Sequence, residues 1–173
     1  TNPLQTPQGG QVQTMTARNV TNNVAAAIPT FNSAVIQNAS PDKLEMTYSL
    51  SLAAIVPPNS AFIVKVNSQT RTVNAVTVAG NKVTLKLASP VAFGQEVTVA
   101  YNKPATNPLQ TPQGGQVQTM TARNVTNNVA AAIPSFNSAV IQNASPDKLE
   151  MTYSLSLAAI VPPNSAFIVK VNG

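Results

Sequence analysis

The chain has 173 residues, of which 43% are hydrophobic, and its ten lysines and arginines against five aspartates and glutamates give a formal charge of +5. It contains no cysteine, histidine or tryptophan, which excludes Cys/His zinc sites, Ser-His-Asp triads and thiolate nucleophiles. We therefore expect a globular protein that is not an enzyme and binds no cofactor.

Alternation of apolar and polar residues predicts β-strands throughout. From Lys43 to Leu52 every second residue is apolar, which is typical of a half-buried antiparallel strand. The dipeptides Asn67-Ser68 and Gly80-Asn81 predict tight hairpin turns. In chain order, the predicted strands are A at 31–37, B at 43–52, C at 61–67, a short strand at 69–73, D and E on either side of Gly80-Asn81, F at 96–101, and G at 117–125.

A long internal repeat sets the domain organisation. Residues 1–67 recur at 106–172 with an offset of 105, and Thr30 against Ser135 is the only difference. A period of this length is the size of a domain and too long for a solenoid repeat or a propeller blade. The chain is therefore predicted to be all-β, as tandem immunoglobulin-like antiparallel β-sandwiches with a 105-residue period.

The predicted domain boundaries cut both terminal repeats. Residues 29–128 are expected to form one complete domain, residues 1–28 the C-terminal strand of a preceding repeat, and residues 129–173 a linker with strands A to C of the following repeat. Because both terminal pieces lack strand partners, we expect the chain to be an excerpt from a longer array.

The segment Phe62 to Tyr101, FIVKVNSQTRTVNAVTVAGNKVTLKLASPVAFGQEVTVAY, followed by KPATNPLQ and VTNN, resembles the SwmB-type bacterial repeat. This is an immunoglobulin-like module that occurs in tandem on very large cell-surface proteins. The resemblance covers essentially the whole period and implies an extracellular or cell-surface location in bacteria. It also implies a structural or adhesive role without catalytic residues.

Three further groups of side chains are candidates for a functional or a structural role. Asp42 and Glu45 are too few for a calcium site, so a solvated turn is favoured and no metal is expected. Tyr101 is predicted to anchor its loop through a hydrogen bond, as in a tyrosine corner. Four cations are candidates for a basic face that would attract cell-wall or surface polysaccharide, against a solvated face; they are Lys65, Arg71, Lys82 and Lys86.

The sequence favours a stalk or extender in adhesion or surface-filament architecture, with neighbouring identical repeats as partners. Cations lie singly along strands without an aromatic platform, so no nucleic-acid partner is expected. The longest apolar run, Leu52 to Val56, is far shorter than the roughly 20 residues that span a membrane. The alternatives are a fibre subunit completed by β-strand exchange between chains and a carbohydrate-binding module.

The predicted inter-domain junction consists of Val24, Ala25, Ile28 and Pro29 with Val129, Ile133 and Pro134.

Overall fold

A computed structural model describes residues 2–170 of the chain. Its regular structure is almost all β, as predicted, with short 3₁₀ turns at Asn59–Ala61 and Asn164–Ala166. The strands are β1 Phe31–Gln37, β2 Lys43–Tyr48, β3 Phe62–Val66, β4 Gln69–Arg71, β5 Val73–Ala79, β6 Lys82–Leu87, β7 Val97–Tyr101, β8 Met120–Asn128, β9 Phe136–Ile141 and β10 Leu149–Tyr153.

Strands β1 to β8 form a sandwich of two layers. One layer has the order β1-β2-β6-β5 and the other β4-β3-β7-β8. Alternate residues of both layers point inward and form one continuous hydrophobic cluster, which includes Ile36 and Leu44 from the first layer and Val64 and Val99 from the second. The two layers therefore share a single core, as a two-layer domain requires.

Strand β8 joins the two layers along one edge. Its first part pairs antiparallel with β7, from Met120 opposite Tyr101 to Val125 opposite Val97. Its last part pairs parallel with β1, where Thr126 to Asn128 lie opposite Val35 to Gln37. The predicted all-β sandwich is present, and its sheet is mixed at this one edge, a feature that no local alternation in the sequence reports because the paired strands lie some ninety residues apart.

The two predicted hairpin turns are present. Asn67 and Ser68, between β3 and β4, have φ of +48° and +67°, which is the conformation of a type I′ turn. Gly80, between β5 and β6, has φ of +58° at the first turn position, where glycine is favoured in a type II′ turn. These turns fix the registers of the strands they connect.

Two strand ends differ from the prediction because their partners end or begin elsewhere. Strand β2 stops at Tyr48 rather than Leu52, since β6 begins at Lys82 opposite Thr47 and offers no further ladder partners. Beyond it, the backbone N–H of Leu52 donates to the Gly80 carbonyl. Strand β8 covers 120–128 rather than 117–125, because its second half pairs with β1.

The two partial copies are less regular within the described residues. Residues 2–28 contain an isolated bridge between Gln5 and Gln11 and no strand. The second copy forms the β9–β10 hairpin, while residues 167–170, where its third strand was predicted, are not in a strand. The copy of the Asn67-Ser68 turn, Asn172-Gly173, lies outside the described residues.

Candidate functional site

The parallel pairing of β1 and β8 places the two connections of the sandwich at its opposite ends. The chain enters at the N-terminal end of β1 and leaves at the C-terminal end of β8, and these neighbouring strands run in the same direction. We call residues 26–31 with the loop 109–119 the upstream end, and residues 37–41, 91–95 and 127–130 the downstream end. Both ends hold a linker segment, which makes them the candidate functional site.

At the upstream end the incoming linker lies directly on a glycine. Pro29 is buried, and the carbonyl oxygen of Ala27 lies so close to Gly115 that a Cβ on that glycine would be 1.9 Å from it. Gly115 is also fixed in place, because its N–H donates to Thr111 Oγ1 at 3.0 Å. In the partial copy, the equivalent Gly10 meets nothing closer than its own Thr6 hydroxyl, at 3.2 Å. Glycine is therefore required at residue 115 by the approach of the linker.

At the downstream end asparagine side chains hold the outgoing linker. The Val129 N–H donates to Asn127 Oδ1 at 3.1 Å, and the Ala130 N–H donates to Asn38 Oδ1 at 2.9 Å. The Asn127 amide in turn donates to the carbonyls of Ala92 at 2.9 Å and Gln95 at 3.0 Å. One asparagine therefore ties the linker to the loop before β7.

The predicted junction residues differ in exposure between the two copies. Val24 and Ala25 are exposed and Ile28 is half exposed, whereas Pro29 is buried. Val129 packs partly against the core. Ile133 and Pro134, the copies of Ile28 and Pro29, are exposed.

Sequence reasoning missed the residues that contact the linker, namely Gly115, Asn38 and Asn127. A signal for the glycine exists, because Gly114 has φ of +86° and satisfies the turn alone. The second glycine of the pair then needs another reason, which is close backbone approach. Apart from the local bond between Asn127 and Val129, the asparagine contacts carry no such signal, because they join residues far apart in the sequence.

A cleft with both polar and apolar lining residues opens beside the linker at the upstream end. It has a volume of about 540 Å³ and lies between residues 28–32 and residues 117–123, where β1 and the first half of β8 diverge. Ile28, Phe31 and Met120 contribute apolar surface, and Arg123 adds a positive charge. Its size is within the roughly 300–1,000 Å³ of typical binding clefts.

The two core tyrosines differ in their hydrogen bonds. Tyr101 anchors the loop that follows it, as predicted, because its hydroxyl accepts the Leu109 N–H at 2.9 Å. Burial raises the pKa of Tyr101, and the bond from Leu109 partly opposes that rise. Tyr48 is also fully buried, yet its hydroxyl has no hydrogen-bond partner among the described residues. Burial, with a smaller effect from Tyr101, raises the pKa of Tyr48 strongly.

The structure does not gather the four predicted cations on one face. Lys82 and Lys86 lie on β6, where Lys82 Nζ is 2.8 Å from Glu45 Oε1 and Lys86 pairs with Asp42. Lys65 and Arg71 lie on β3 and β4 of the other layer. The Arg71 guanidinium donates to the carbonyls of Ser89 and Pro90. Three of the four cations are thus held by the sandwich itself.

The acidic residues Asp42 and Glu45 serve as partners of these lysines. The hydrogen bond from Lys86 lowers the pKa of the Asp42 carboxyl below its ordinary value. Within residues 2–170, no three acidic, histidine or cysteine side chains come together as metal ligands would. The surface over β2 and β6 is therefore a mixed-charge face.

A sequence profile described as a "putative flagellar system-associated repeat" (SWM repeat) matches residues 20–106. The chain belongs to the SWM repeat family. The match contains the incoming linker and strands β1 to β7, and it ends before β8. The resemblance to SwmB-type repeats is confirmed, and membership of a repeat family indicates neighbouring repeats in the same chain. No curated protein matches the chain.

Among solved structures, the chain is similar to the bacterial S-layer protein SbsC. Its N-terminal part is 18% identical with a TM-score of 0.47, and the match covers 73% of this chain and 31% of that one. The structure of domains 1–6 of surface layer protein SbsC is 19% identical with a TM-score of 0.47, covering 73% of this chain and 18% of that one. The chain thus spans less than a third of either structure.

Across the described residues, helical structure is limited to two three-residue turns, and none of it is long or apolar enough to cross a bilayer.

Proposed function

We propose that this chain is an extender, a structural repeat that lengthens a bacterial cell-surface protein without acting on a substrate. The main support is the parallel pairing of β1 and β8, which sends the chain in at one end of the sandwich and out at the other. A domain connected in this way adds its own length to an array at each repetition.

The length added per repeat follows from strand geometry. Strand β1 has seven residues, and at about 3.3 Å per residue it spans roughly 23 Å. Loops at both ends and the linker bring the expected rise to about 40 Å per repeat. The cell-surface location is part of the proposal and rests on the family, which is described as flagellar system-associated.

We also assign the sandwich to the immunoglobulin-like class. Strands β1, β2, β6 and β5 correspond to the order A-B-E-D, and β3, β7 and β8 to C-F-G, with β4 added at the edge. This order supports the class independently of sequence similarity.

Small-angle X-ray scattering tests the extender function. The full chain would be compared with chains lengthened in steps of the same 105-residue period. We expect the maximum dimension to grow by about 40 Å with each added repeat. Growth with the cube root of mass would instead describe repeats that fold back on one another, and the extender function would then be rejected.

A fibre subunit is the second candidate, favoured by one observation. The apolar side chains of the β9–β10 hairpin are exposed, with Ile141 at 49% and Leu149 at 38%. Strand exchange between chains would cover this face. Electron microscopy of the concentrated chain should then show filaments, and a fragment carrying residues 69–128 should cap them. Monodisperse chains at every concentration would reject this candidate.

A further inference from the structure

Almost every residue of the linker between consecutive repeats is attached to one repeat or the other. Its first part is held by the repeat that precedes it, since Ala130 donates to Asn38. Its last part is held by the repeat that follows, because Ala27 lies on Gly115 and Pro29 is buried. Ala132 and Pro134 are the copies of those two residues, so Ala131 alone lies between the two attachments.

This arrangement forces the ends of the two repeats together. Two residues of extended chain reach about 7 Å, so the two folded domains cannot be far apart where the linker joins them. The downstream end of one repeat therefore lies within contact range of the upstream end of the next. An exposed apolar group at one end then faces whatever surface the other end presents.

Phe93 is such a group at the downstream end. Its side chain is 64% exposed although it is a large aromatic residue. The loop that carries it is held on both sides, because Asn127 donates to the carbonyls of Ala92 and Gln95. The Ala92 N–H also donates to the Gln95 side chain at 2.8 Å. Phe93 is thus presented on an ordered loop beside the outgoing linker.

The upstream end presents a matching surface. The cleft of about 540 Å³ beside Pro29 is lined by Phe31, Met120 and Arg123 and has ample room for one aromatic ring. Burial of an aromatic side chain stabilises a contact, and an arginine beside the ring adds a cation–π attraction. The cleft lies next to the linker through which the preceding repeat is attached.

We propose that Phe93 of each repeat inserts into the upstream cleft of the next repeat and fixes the angle between them. The partner is a neighbouring copy of the same repeat, so the inference rests on the proposed extender function and deepens it. The contact makes the array a stiff rod, because linker and end surfaces restrain each junction together.

The test uses the full chain continued after Gly173 by a copy of residues 69–128, which completes the second repeat. The natural sequence has no cysteine, so a single engineered pair reports one contact. Phe93→Cys is combined with cysteine at the copy of Met120 in the completed repeat. The control pair replaces Phe93→Cys by Ile63→Cys, since Ile63 is also exposed but lies on the outer face of β3.

We expect the Phe93 pair to form a disulfide at least tenfold faster than the Ile63 pair. Equal rates for the two pairs would overturn the contact. A second measurement uses Phe93→Ala with spin labels on the two repeats. This variant should broaden the inter-repeat distance distribution, whereas alanine at the copy of Phe93 in the last repeat, which has no following partner, should not. Unchanged width in the first variant would also overturn it.

Failure of this inference is distinguishable from failure of the extender function. An extended two-repeat chain with equal cross-linking rates would overturn the contact and retain the extender. A compact two-repeat chain with fast cross-linking through Phe93 would retain the contact and reject the extender.

Discussion

The β1–β2 hairpin and the β9–β10 hairpin have the same sequence but different surroundings. Ile36 and Leu44 are fully buried in the first, and their copies Ile141 and Leu149 are 49% and 38% exposed in the second. Both hairpins nevertheless keep their register, and an edge-to-face aromatic pair forms in each, Phe31 with Tyr48 and Phe136 with Tyr153. Local sequence therefore specifies the hairpin, and the facing layer together with the neighbouring strands β6 and β8 buries its apolar side chains.

The largest expected difference between the two hairpins concerns a core leucine. Leu44→Ala should lower the free energy of unfolding by about 2–5 kcal/mol, because it leaves a cavity in a closed core. Leu149→Ala should change it by less than about 0.5 kcal/mol, since that side chain is already partly exposed. Urea unfolding followed by circular dichroism measures both. Equal losses would mean that the second hairpin is packed as well as the first.

A pair of tyrosine variants distinguishes the stability that comes from the hydrogen bond of Tyr101 to its loop from the stability that comes from packing a tyrosine ring in the core. Tyr101→Phe removes the acceptor for the buried Leu109 N–H and should cost about 1–3 kcal/mol. Tyr48→Phe removes a buried hydroxyl that lacks a partner, so stability should stay the same or rise. Thermal unfolding of both variants provides the comparison. A larger loss for Tyr48→Phe would contradict it.

A pair of glycine variants tests whether the close approach at Gly115 keeps the incoming linker in place. Gly115→Ala forces the Ala27 carbonyl away and should cost about 1–3 kcal/mol through overpacking. Gly10→Ala has the same local sequence without a linker above it and should be nearly neutral. Hydrogen exchange in residues 26–30 should quicken only in the first variant. Equal exchange in both would show that the linker is not held at this glycine.

The smallest expected effect depends on pH. The folded-state pKa of Asp42 is lowered by Lys86, so the pair stabilises the fold above the unfolded-state pKa of about 3.9 and loses that contribution as pH falls through the folded value. The melting temperature of the wild type should exceed that of Asp42→Asn slightly at pH 6, and the difference should vanish by pH 2. Asp147→Asn, at the equivalent position of the second hairpin, should leave the melting temperature at pH 6 unchanged.

The parts of the fold that the sequence predicts are those set by neighbouring residues. Strand β1 begins and ends at the predicted residues, and the turn at Asn67-Ser68 has the required positive φ angles. The predicted end of β2 was wrong, because apolar and polar residues keep alternating through Leu52 although the partner strand β6 no longer pairs beyond Thr47. Strand registers between distant segments, such as β1 with β8, leave no periodic pattern in either strand.

In the candidate site, too, the sequence predicted only those features that depend on neighbouring residues. The inter-domain junction stays a prediction, whereas the predicted anchoring role of Tyr101 is confirmed by its hydrogen bond with Leu109. Gly115 and Asn38 were missed, because each acts through a contact with a segment about ninety residues away in the chain. Such contacts depend on how the sandwich closes.

The parallel pairing of β1 and β8 also determines how a repeat bears tension. In the proposed extended array, a force along the array would pull on the start of β1 and the end of β8, in opposite directions along two neighbouring strands. The three paired positions, Val35 to Gln37 against Thr126 to Asn128, are then loaded in shear and must yield together. Strands pulled apart from one end would instead lose their hydrogen bonds one at a time. Each repeat is therefore connected in the geometry that resists stretching, and its lifetime under load is set by the rate at which this short zone ruptures.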